Sequence, residues 1–490
     1  MALGPDDLIG QFILCRLPGN IPATWRRRNI GPWHLGYHPT LPVQEIIAAD
    51  STVIGWLLGY PISAQARLIT EDVHFDVSPG ASDAPEQFES LLYTQGGRFA
   101  AVFLGREASR VYLDPCGSLA AVFCPKQQII ASTASLIPYL NNDDDNHELI
   151  RVIEIPHEDT CYPFGLTPRR SVERLLPSHY LDLESWQAVR HWPKKEIDMV
   201  QDVPQAVLEL ASILKNNIYA LAREYPVYLA LTAGRDSRML LACSREYLDK
   251  IAFFTVTVPN AGGRLDCQIT PKMAKKFGLN HVIIPFVYAS ASQANGFLYR
   301  TGSCVHGLYS QIDLAYRRLG PQRPVLLGAA GELGRGFHWR KGDTETSRIT
   351  ADDLLLKSQM PNTPQIHQRA QRWLAGLPLK SALTIWGLLY NELFNGCWFG
   401  PLLYGWVSNA FCLFPFCHQR LIEIMLSLPA EYRRSNSLPI DLVKNLWPEL
   451  LSLPFNWFVG LQRWRYSATW RLAQFREKLY TILKRNTRSW

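Results

Sequence analysis

The feature that most constrains this chain is the segment YLALTAGRDSR, residues 228–238. Apolar residues typical of a buried strand give way to small residues, and an acid and a hydroxyl follow where a helix should begin. Small residues let the backbone approach a polyphosphate closely, and the N–H groups at a helix N-terminus favour such an anion. An ordinary helix N-cap, with Asp236 and Ser237 serving only the first turn, explains the same pattern equally well.

Alternating helix and strand patterns surround this segment. Apolar periodicity predicts a helix over residues 203–224, and a second helix from residue 237 to about 248. Strands are predicted at residues 227–231, 251–258, 281–285 and 325–327. This order predicts a doubly wound parallel sheet, with ligands at the carboxyl ends of its strands. From about residue 350 the chain is expected to be mostly helical.

The first part of the chain has a different pattern, because short strands are broken there by Gly, Pro, Asn and Asp. The clearest candidates are residues 99–104, 110–113, 120–124 and 129–132. The charged segment 191–202 lacks periodicity and is interpreted as a linker. With 490 residues the chain is too long for one ordinary core. We therefore predict two domains, residues 1–195 and 196–490.

Composition indicates a globular protein, with 47% apolar and 19% charged residues. The sequence contains no run of about 18 apolar residues, so no transmembrane helix is predicted. The first residues do not resemble a signal peptide. The ten cysteines are scattered at irregular intervals, which favours free thiols in a reducing compartment. These patterns predict a cytoplasmic protein.

The net charge of +7 is concentrated at the C-terminus. Residues 461–490 hold eight basic residues and one acid, with aromatic residues between them, so the rest of the chain is close to neutral. Two interpretations stay open. The tail is either a helix docked on the body of the protein, or an amphipathic basic helix that contacts an anionic membrane surface or nucleic acid.

The side chains of the loop would also suit a polyphosphate. Thr232 and Ser237 can donate hydroxyl hydrogen bonds to phosphates, whereas Asp236 would repel them unless a cation lay between. Carboxylate oxygens are ligands that Mg²⁺ prefers, so Asp236 is a candidate for bridging Mg²⁺.

The segment resembles the Ser-Gly-Gly-x-Asp-Ser pyrophosphate loop of the asparagine synthetases and other ATP pyrophosphatases, with Thr232 and Ala233 replacing the first Ser and Gly. Further stretches resemble the same family in the same order. They are residues 97–132 and 172–179, similar to the glutamine amidotransferase domain; residues 251–281, with Asp266 and His281; the Gly-rich loop 324–337; and residues 414–429.

This resemblance implies a fold and an activity. The expected fold is an N-terminal Ntn-amidotransferase-like β-sandwich domain, followed by a doubly wound ATP-pyrophosphatase domain with a helical extension. The expected enzyme is an AMP-forming carbon–nitrogen ligase. It would activate a carboxylate as an acyl-adenylate, form an amide bond with an amine, and release AMP and pyrophosphate. The substrates would be a small-molecule or peptide carboxylate and an amine, and the cofactors ATP and Mg²⁺.

The resemblance also assigns site residues. Thr232, Gly234 and Ser237 would bind pyrophosphate, and Arg235 or Arg238 would neutralise charge that develops on the phosphates. The expected ATP-binding residues are Leu231, Thr232, Ala233, Gly234, Asp236, Ser237, Val256 and Gly328; the metal ligands are Asp236 and Glu332; and the catalytic residues are Arg235, Arg238 and Glu332.

Several positions depart from the family pattern. Ala2 stands where asparagine synthetases have the glutaminase Cys, as in the β-lactam synthetases and lasso-peptide cyclases, so we expect no glutaminase activity. Only Glu332 remains of an Asp–Glu pair. Asn456 occupies the position of a catalytic Lys, for which Arg463 or Arg465 is a candidate substitute.

Two other interpretations remain open. The missing Lys and Asp–Glu pair favour a degenerate scaffold that binds nucleotide or a partner without turnover. The basic tail would suit an RNA-modifying ATP pyrophosphatase, whose RNA binding should fall steeply with salt.

Overall fold

The computed structural model describes residues 3–456, apart from residues 79, 158, 321, 341 and 409. This part is mixed α/β, with 40% helix and 19% strand in several sheets, and so confirms the predicted α/β class. Within it, no helix combines the length and apolar character needed to cross a membrane. The predicted C-terminal helix at residues 461–490, with Arg463 and Arg465, lies outside the described residues.

Two mainly antiparallel sheets form the N-terminal part. Their strands are β1 Phe12–Cys15, β2 Arg26–Ile30, β3 Trp33–Tyr37, β4 Val43–Ala48, β5 Val53–Ile62, β6 Val73–Phe75, β7 Gly96–Leu104, β8 Ser109–Leu113, β9 Ala121–Cys124, β10 Ile129–Ala131, β11 Glu173–Leu175, β12 His179–Asp182 and β13 Ala188–Arg190; the helices are α1 Ala84–Tyr93 and α2 His147–Ile153. The strand orders are β11-β9-β10-β1-β3-β2 and β13-β12-β8-β7-β5-β4-β6, where only β4 and β6 pair in parallel. The four predicted strands correspond to β7–β10.

A shared apolar core holds these two sheets face to face. Phe12 and Trp33 from the first sheet belong to the same buried cluster as Trp56 and Val102 from the second. Alternate residues of each strand point into this core because successive side chains lie on opposite faces of a strand.

A parallel sheet forms the centre of the C-terminal part. Its strands are β14 Val227–Ala230, β15 Ile251–Val256, β16 His281–Ile284, β17 Val325–Leu326 and β18 Cys412–Leu413, in the order β16-β15-β14-β17-β18. Every pair in this sheet is parallel, as the alternating pattern predicted. Strand β18 was not predicted from the sequence. The strands of this sheet and those of the antiparallel sheets fall on opposite sides of residue 195, although the domain division itself stays a prediction.

Helices accompany the parallel sheet and dominate the chain after residue 350, as expected. They are α3 Val203–Glu224, α4 Arg235–Cys243, α5 Ala261–Phe277, α6 Ala291–Arg300, α7 Ser310–Tyr316, α8 Ala351–Lys357, α9 Pro364–Ala375, α10 Ala382–Leu389, α11 Gly400–Gly405, α12 Gln419–Ser427, α13 Ala430–Arg434 and α14 Ser437–Leu446, with a π-helix at Tyr390–Phe399. Short 3₁₀ turns lie at Pro5–Asp7, Pro18–Asn20, Ala134–Leu136, Arg245–Lys250, Gly307–Tyr309, Arg317–Leu319, Gly331–Gly334 and Pro448–Ser452.

Local capping explains where the helices around the loop begin. α3 has the predicted bounds because the Asp202 side chain accepts a hydrogen bond from Gln205 N–H at its start. α4 begins two residues earlier than predicted, since Gly234 is its N-cap. It also ends earlier, and a 3₁₀ turn at Arg245–Lys250 takes up the rest of the predicted helix.

The π-helix joins the two parts of the chain. Asn391 donates to the Pro115 carbonyl at 2.8 Å, and a Cβ on Gly400, the first residue of α11, would lie 2.4 Å from the Gly117 carbonyl oxygen. Residues 191–202 contain neither helix nor strand, as predicted, and they pack on the C-terminal part, where Val200 N–H donates to the Ser427 carbonyl.

A buried ion pair also crosses this junction. Arg190 donates to both oxygens of Glu392, at 2.6 and 2.9 Å, and Glu392 accepts a third hydrogen bond from Trp373 Nε1. Only 11% of the Arg190 side chain and 1% of the Glu392 side chain are exposed. Removing one charge from such a pair leaves the other buried and uncompensated.

We therefore predict that Glu392→Gln lowers the free energy of unfolding by about 3 kcal/mol, measured by chemical denaturation. The matched control is Glu423→Gln, which breaks the exposed pair with Arg420 and should cost less than about 1 kcal/mol. Equal losses in the two variants would contradict a structural role for the buried pair.

Candidate functional site

The loop identified in the sequence lies at the carboxyl end of β14, the middle strand of the parallel sheet. Leu231 fixes its start, because its N–H donates to Phe254 and its carbonyl accepts from Thr255 Oγ1 at 2.7 Å. The loop then turns into α4 through Gly234. A strand that ends in a helix N-terminus at this edge of a sheet is the usual position of a phosphate site.

Side chains occupy the N–H groups of this loop. Thr232 N–H donates to Ser237 Oγ, Ala233 N–H to Asp266 Oδ1 at 2.7 Å, and Gly234 N–H to Thr232 Oγ1 at 3.0 Å. The hydroxyls of Thr232 and Ser237 lie 2.8 Å apart. A phosphate at this loop would therefore have to replace some of these bonds or use the first N–H groups of α4.

Asp266 is the acid that the family resemblance placed after the second strand. It lies in α5, and burial raises the pKa of its carboxyl to about 6, while the hydrogen bond from Ala233 N–H acts in the opposite direction. Val256, at the carboxyl end of neighbouring β15, is half-buried. His281 Nε2 lies 2.9 Å from Thr255 Oγ1, and burial lowers the pKa of this His281 ring.

Two carboxylates meet beside the loop. Asp236, in the first turn of α4, and Glu332, in the 3₁₀ turn at Gly331–Gly334, are both contacted by Arg335 Nη2, at 2.7 and 2.9 Å. Asp236 is 9% exposed, and its Oδ1 is buried with no hydrogen-bond partner among the described residues. Burial, and next the charge of Glu332, raise the pKa of Asp236 well above its usual range. Tyr390, from the π-helix, donates to Glu332 Oε2 at 3.1 Å.

The second Gly-rich segment packs tightly against Asp236. A Cβ on Gly328 would lie 3.2 Å from the Asp236 Cβ, and one on Gly331 would lie 2.5 Å from Asp236 Oδ1. Ala330, between them, has the left-handed φ of 71°. The small residues therefore permit the close approach of the two loops, in addition to any role toward a ligand.

The two arginines expected at the phosphates have different surroundings. Arg235 is half-buried, and burial and the charge of Arg335 lower its pKa. Arg238 is fully buried, donates to the carbonyls of Leu453 and Pro454 at 2.5 and 3.0 Å, and lies over the Phe455 ring. Its guanidinium is thus directed to the C-terminal segment rather than to the phosphate side of the loop, and burial lowers its pKa to about 10.

Arg238 holds the end of the described chain against the loop. Asn456, at the position expected for a catalytic Lys, donates its N–H to the Ala233 carbonyl at 3.0 Å. The structure therefore brings Asn456 to the loop. Arg463 and Arg465, the candidate substitutes for that Lys, lie outside the described residues.

Arg335 and Tyr390 are two site residues that were not predicted from the sequence. The signal for Arg335 was a basic residue in a Gly-rich loop that carries only one acid, three positions before it. No comparable signal marks Tyr390, because its position depends on how the π-helix packs.

The carboxylate oxygens at Asp236 and Glu332 suit a hard divalent cation as ligands. The orphaned, buried Asp236 Oδ1 and the adjacent Glu332 carboxylate offer the oxygen ligands that Mg²⁺ prefers. Within the part of the chain that the structure describes, no group of three or more His, Cys, Asp or Glu residues could hold a metal. Mg²⁺ here would thus take its remaining ligands from substrate phosphates and water, which is its usual behaviour.

Comparison with known proteins adds no assignment. No protein-family model matches this chain, and no curated protein matches it. The likeness to the asparagine synthetases rests on the sequence motifs alone.

We predict that Gly331→Ala lowers the free energy of unfolding by about 1–3 kcal/mol, since the added methyl group overlaps Asp236 Oδ1. The matched control is Gly342→Ala in the same region, where a Cβ would meet nothing within 4 Å. Denaturation midpoints and slopes of both variants provide the measurement. A Gly331→Ala protein as stable as the control would show that the two loops are not in close contact.

Proposed function

We propose that this chain is an ATP-dependent ligase that activates a carboxylate as an acyl-adenylate and joins it to an amine. The observation that carries the proposal is the meeting of Asp236 and Glu332 at the N-terminus of α4, beside the hydroxyls of Thr232 and Ser237. In open α/β sheets, ligands bind at this carboxyl edge. The proposal includes the finer fold assignment, an Ntn-amidotransferase-like sandwich followed by a doubly wound ATP-pyrophosphatase domain with a helical extension.

The reaction proceeds in two displacements. A substrate carboxylate oxygen attacks the α-phosphorus of ATP, and the bond to pyrophosphate breaks. The amine nitrogen then attacks the acyl carbon, loses a proton, and AMP leaves. Adenylation is needed because a carboxylate is a poor electrophile, whereas AMP is a good leaving group.

Residues of the loop supply binding and charge neutralisation. Thr232 and Ser237 hydroxyls donate hydrogen bonds to the pyrophosphate, while Gly234 allows the backbone to approach it. Arg235 offsets negative charge as pyrophosphate departs. Asp236 and Glu332 would hold Mg²⁺, which would supply shielding of the phosphate charge. Arg238 positions residues 453–456 behind the loop.

A second candidate is a scaffold that binds nucleotide or a partner without turnover. The occupied N–H groups of Thr232, Ala233 and Gly234 favour it, because a loop satisfied by its own side chains gains less from phosphate. The two candidates differ in whether pyrophosphate is released.

We predict that the protein binds ATP·Mg²⁺ and that Asp236→Asn weakens this binding at least tenfold, about 1.4 kcal/mol, in calorimetry. Asp249→Asn, at a side chain that is 74% exposed, should bind as the wild type does. Pyrophosphate release should then appear only with a suitable acid, found by screening. Equal affinity and equal Mg²⁺ dependence in all three proteins would remove the pyrophosphate-loop assignment, and binding without pyrophosphate release for any acid would favour the scaffold.

We also predict that the protein does not hydrolyse glutamine. Nine of the ten thiols are buried, Cys267 being half-buried, and hydrolysis needs an accessible thiolate. The first of them, Cys15, donates to the Leu17 carbonyl, and burial raises its pKa to about 11. The measurement is glutamate and ammonium release from glutamine, with and without ATP. Steady release above that of Cys15→Ala would instead support a glutamine-dependent amidotransferase.

A further inference from the structure

Arg335 occupies the space between the two proposed metal ligands. One nitrogen, Nη2, contacts Asp236 Oδ2 at 2.7 Å and Glu332 Oε1 at 2.9 Å. The Arg335 side chain is only 13% exposed, so water screens these contacts weakly. A guanidinium is therefore already bound where a divalent cation would join Asp236 to Glu332.

Two guanidiniums already face the two carboxyl groups. Arg335 contacts both Asp236 and Glu332, and the charge of Arg235 also acts on Asp236. A divalent cation alone would have to break two short ion pairs and leave two guanidiniums uncompensated at a partly buried site, which is unfavourable. A polyphosphate entering with the cation changes this balance, because it supplies anionic oxygens for both arginines.

The geometry of Arg335 suits a contact that can be exchanged. A strong arginine–carboxylate pair uses two nitrogens against two oxygens of one group. Here one nitrogen serves two carboxylates, and Arg335 Nε is buried without a hydrogen-bond partner among the described residues. The donor capacity of this guanidinium is thus incompletely used, and a phosphate could satisfy it better.

We propose that Arg335 is a resident counter-cation that competes with the divalent cation for Asp236 and Glu332, and releases them only when nucleotide provides phosphate for its guanidinium. This inference rests on the proposed function for the nucleotide, but its central claim concerns the carboxylates alone. It makes uptake of the divalent cation conditional on the polyphosphate. Arg335 is a positioning residue in this scheme, since it acts through the two carboxylates.

The experiment measures Mn²⁺ binding by electron paramagnetic resonance, with Mn²⁺ as the probe for Mg²⁺. Without nucleotide, the wild type should bind Mn²⁺ weakly, and Arg335→Met should bind it at least tenfold more tightly. Adding Glu332→Gln to Arg335→Met should abolish the gain. Arg335→Lys keeps a cation and should resemble the wild type. The matched control is Arg340→Met, an exposed arginine 3.8 Å from Asp353, which should also leave Mn²⁺ binding unchanged.

Equal Mn²⁺ affinity in the wild type and Arg335→Met would overturn the inference, as would tight Mn²⁺ binding by the wild type without nucleotide. If Arg335→Met does not fold, Arg335→Gln replaces it in the same measurement, with the same expected gain. Addition of ATP should tighten Mn²⁺ binding in the wild type far more than in Arg335→Met. If Arg335→Met gains Mn²⁺ but ATP affects neither protein, the proposed ligase function fails while the competition by Arg335 stands. If ATP·Mn²⁺ binds but Arg335→Met binds Mn²⁺ no more tightly than the wild type does, the competition by Arg335 fails while the proposed ligase function stands.

Discussion

The burial of the Asp236 carboxylate is the constraint on which the site depends. A buried carboxylate is costly unless it is paired or hydrogen-bonded, and one oxygen of Asp236 has no partner among the described residues. Arg335 offsets part of this cost, and Glu332 would increase it without that arginine. The close packing of Gly331 then leaves Asp236 little freedom to turn away. Such strained electrostatics concentrate at functional sites more often than elsewhere.

The π-helix connects the candidate site to the N-terminal part of the molecule. Tyr390, at its start, donates to Glu332, and two positions later Glu392 forms the buried ion pair with Arg190 of the N-terminal part. One short element therefore contacts both the candidate site and the opposite side of the junction. π-Helical turns are uncommon and occur frequently at functional sites, which agrees with this position. Through Glu392 and Tyr390 the π-helix also connects the N-terminal part to the candidate site.

The loop has features of a phosphate-binding site, but its backbone N–H groups are already hydrogen-bonded within the protein. Its place at the end of the middle strand, its small residues and its hydroxyls suit a phosphate. Its backbone N–H groups nevertheless bond to Thr232, Ser237 and Asp266 in the structure. Both the ligase and the scaffold proposals follow from this balance, because they differ in how readily a nucleotide exchanges those bonds for its own.

The sequence by itself determined the elements whose causes are local. The bounds of α3 follow from apolar periodicity and the Asp202 cap, and the strand–loop–helix unit at residues 227–243 follows from a similar pattern. The tertiary structure decided how distant residues meet. Arg335 and Asp236 are 99 positions apart, so their ion pair depends on packing that no local pattern encodes. The orientation of the Arg238 side chain also depends on tertiary packing, because residues 453–455 supply its hydrogen-bond acceptors and the aromatic ring against which it lies. Periodicity and capping act over a few residues, whereas desolvation and charge pairing depend on the complete fold.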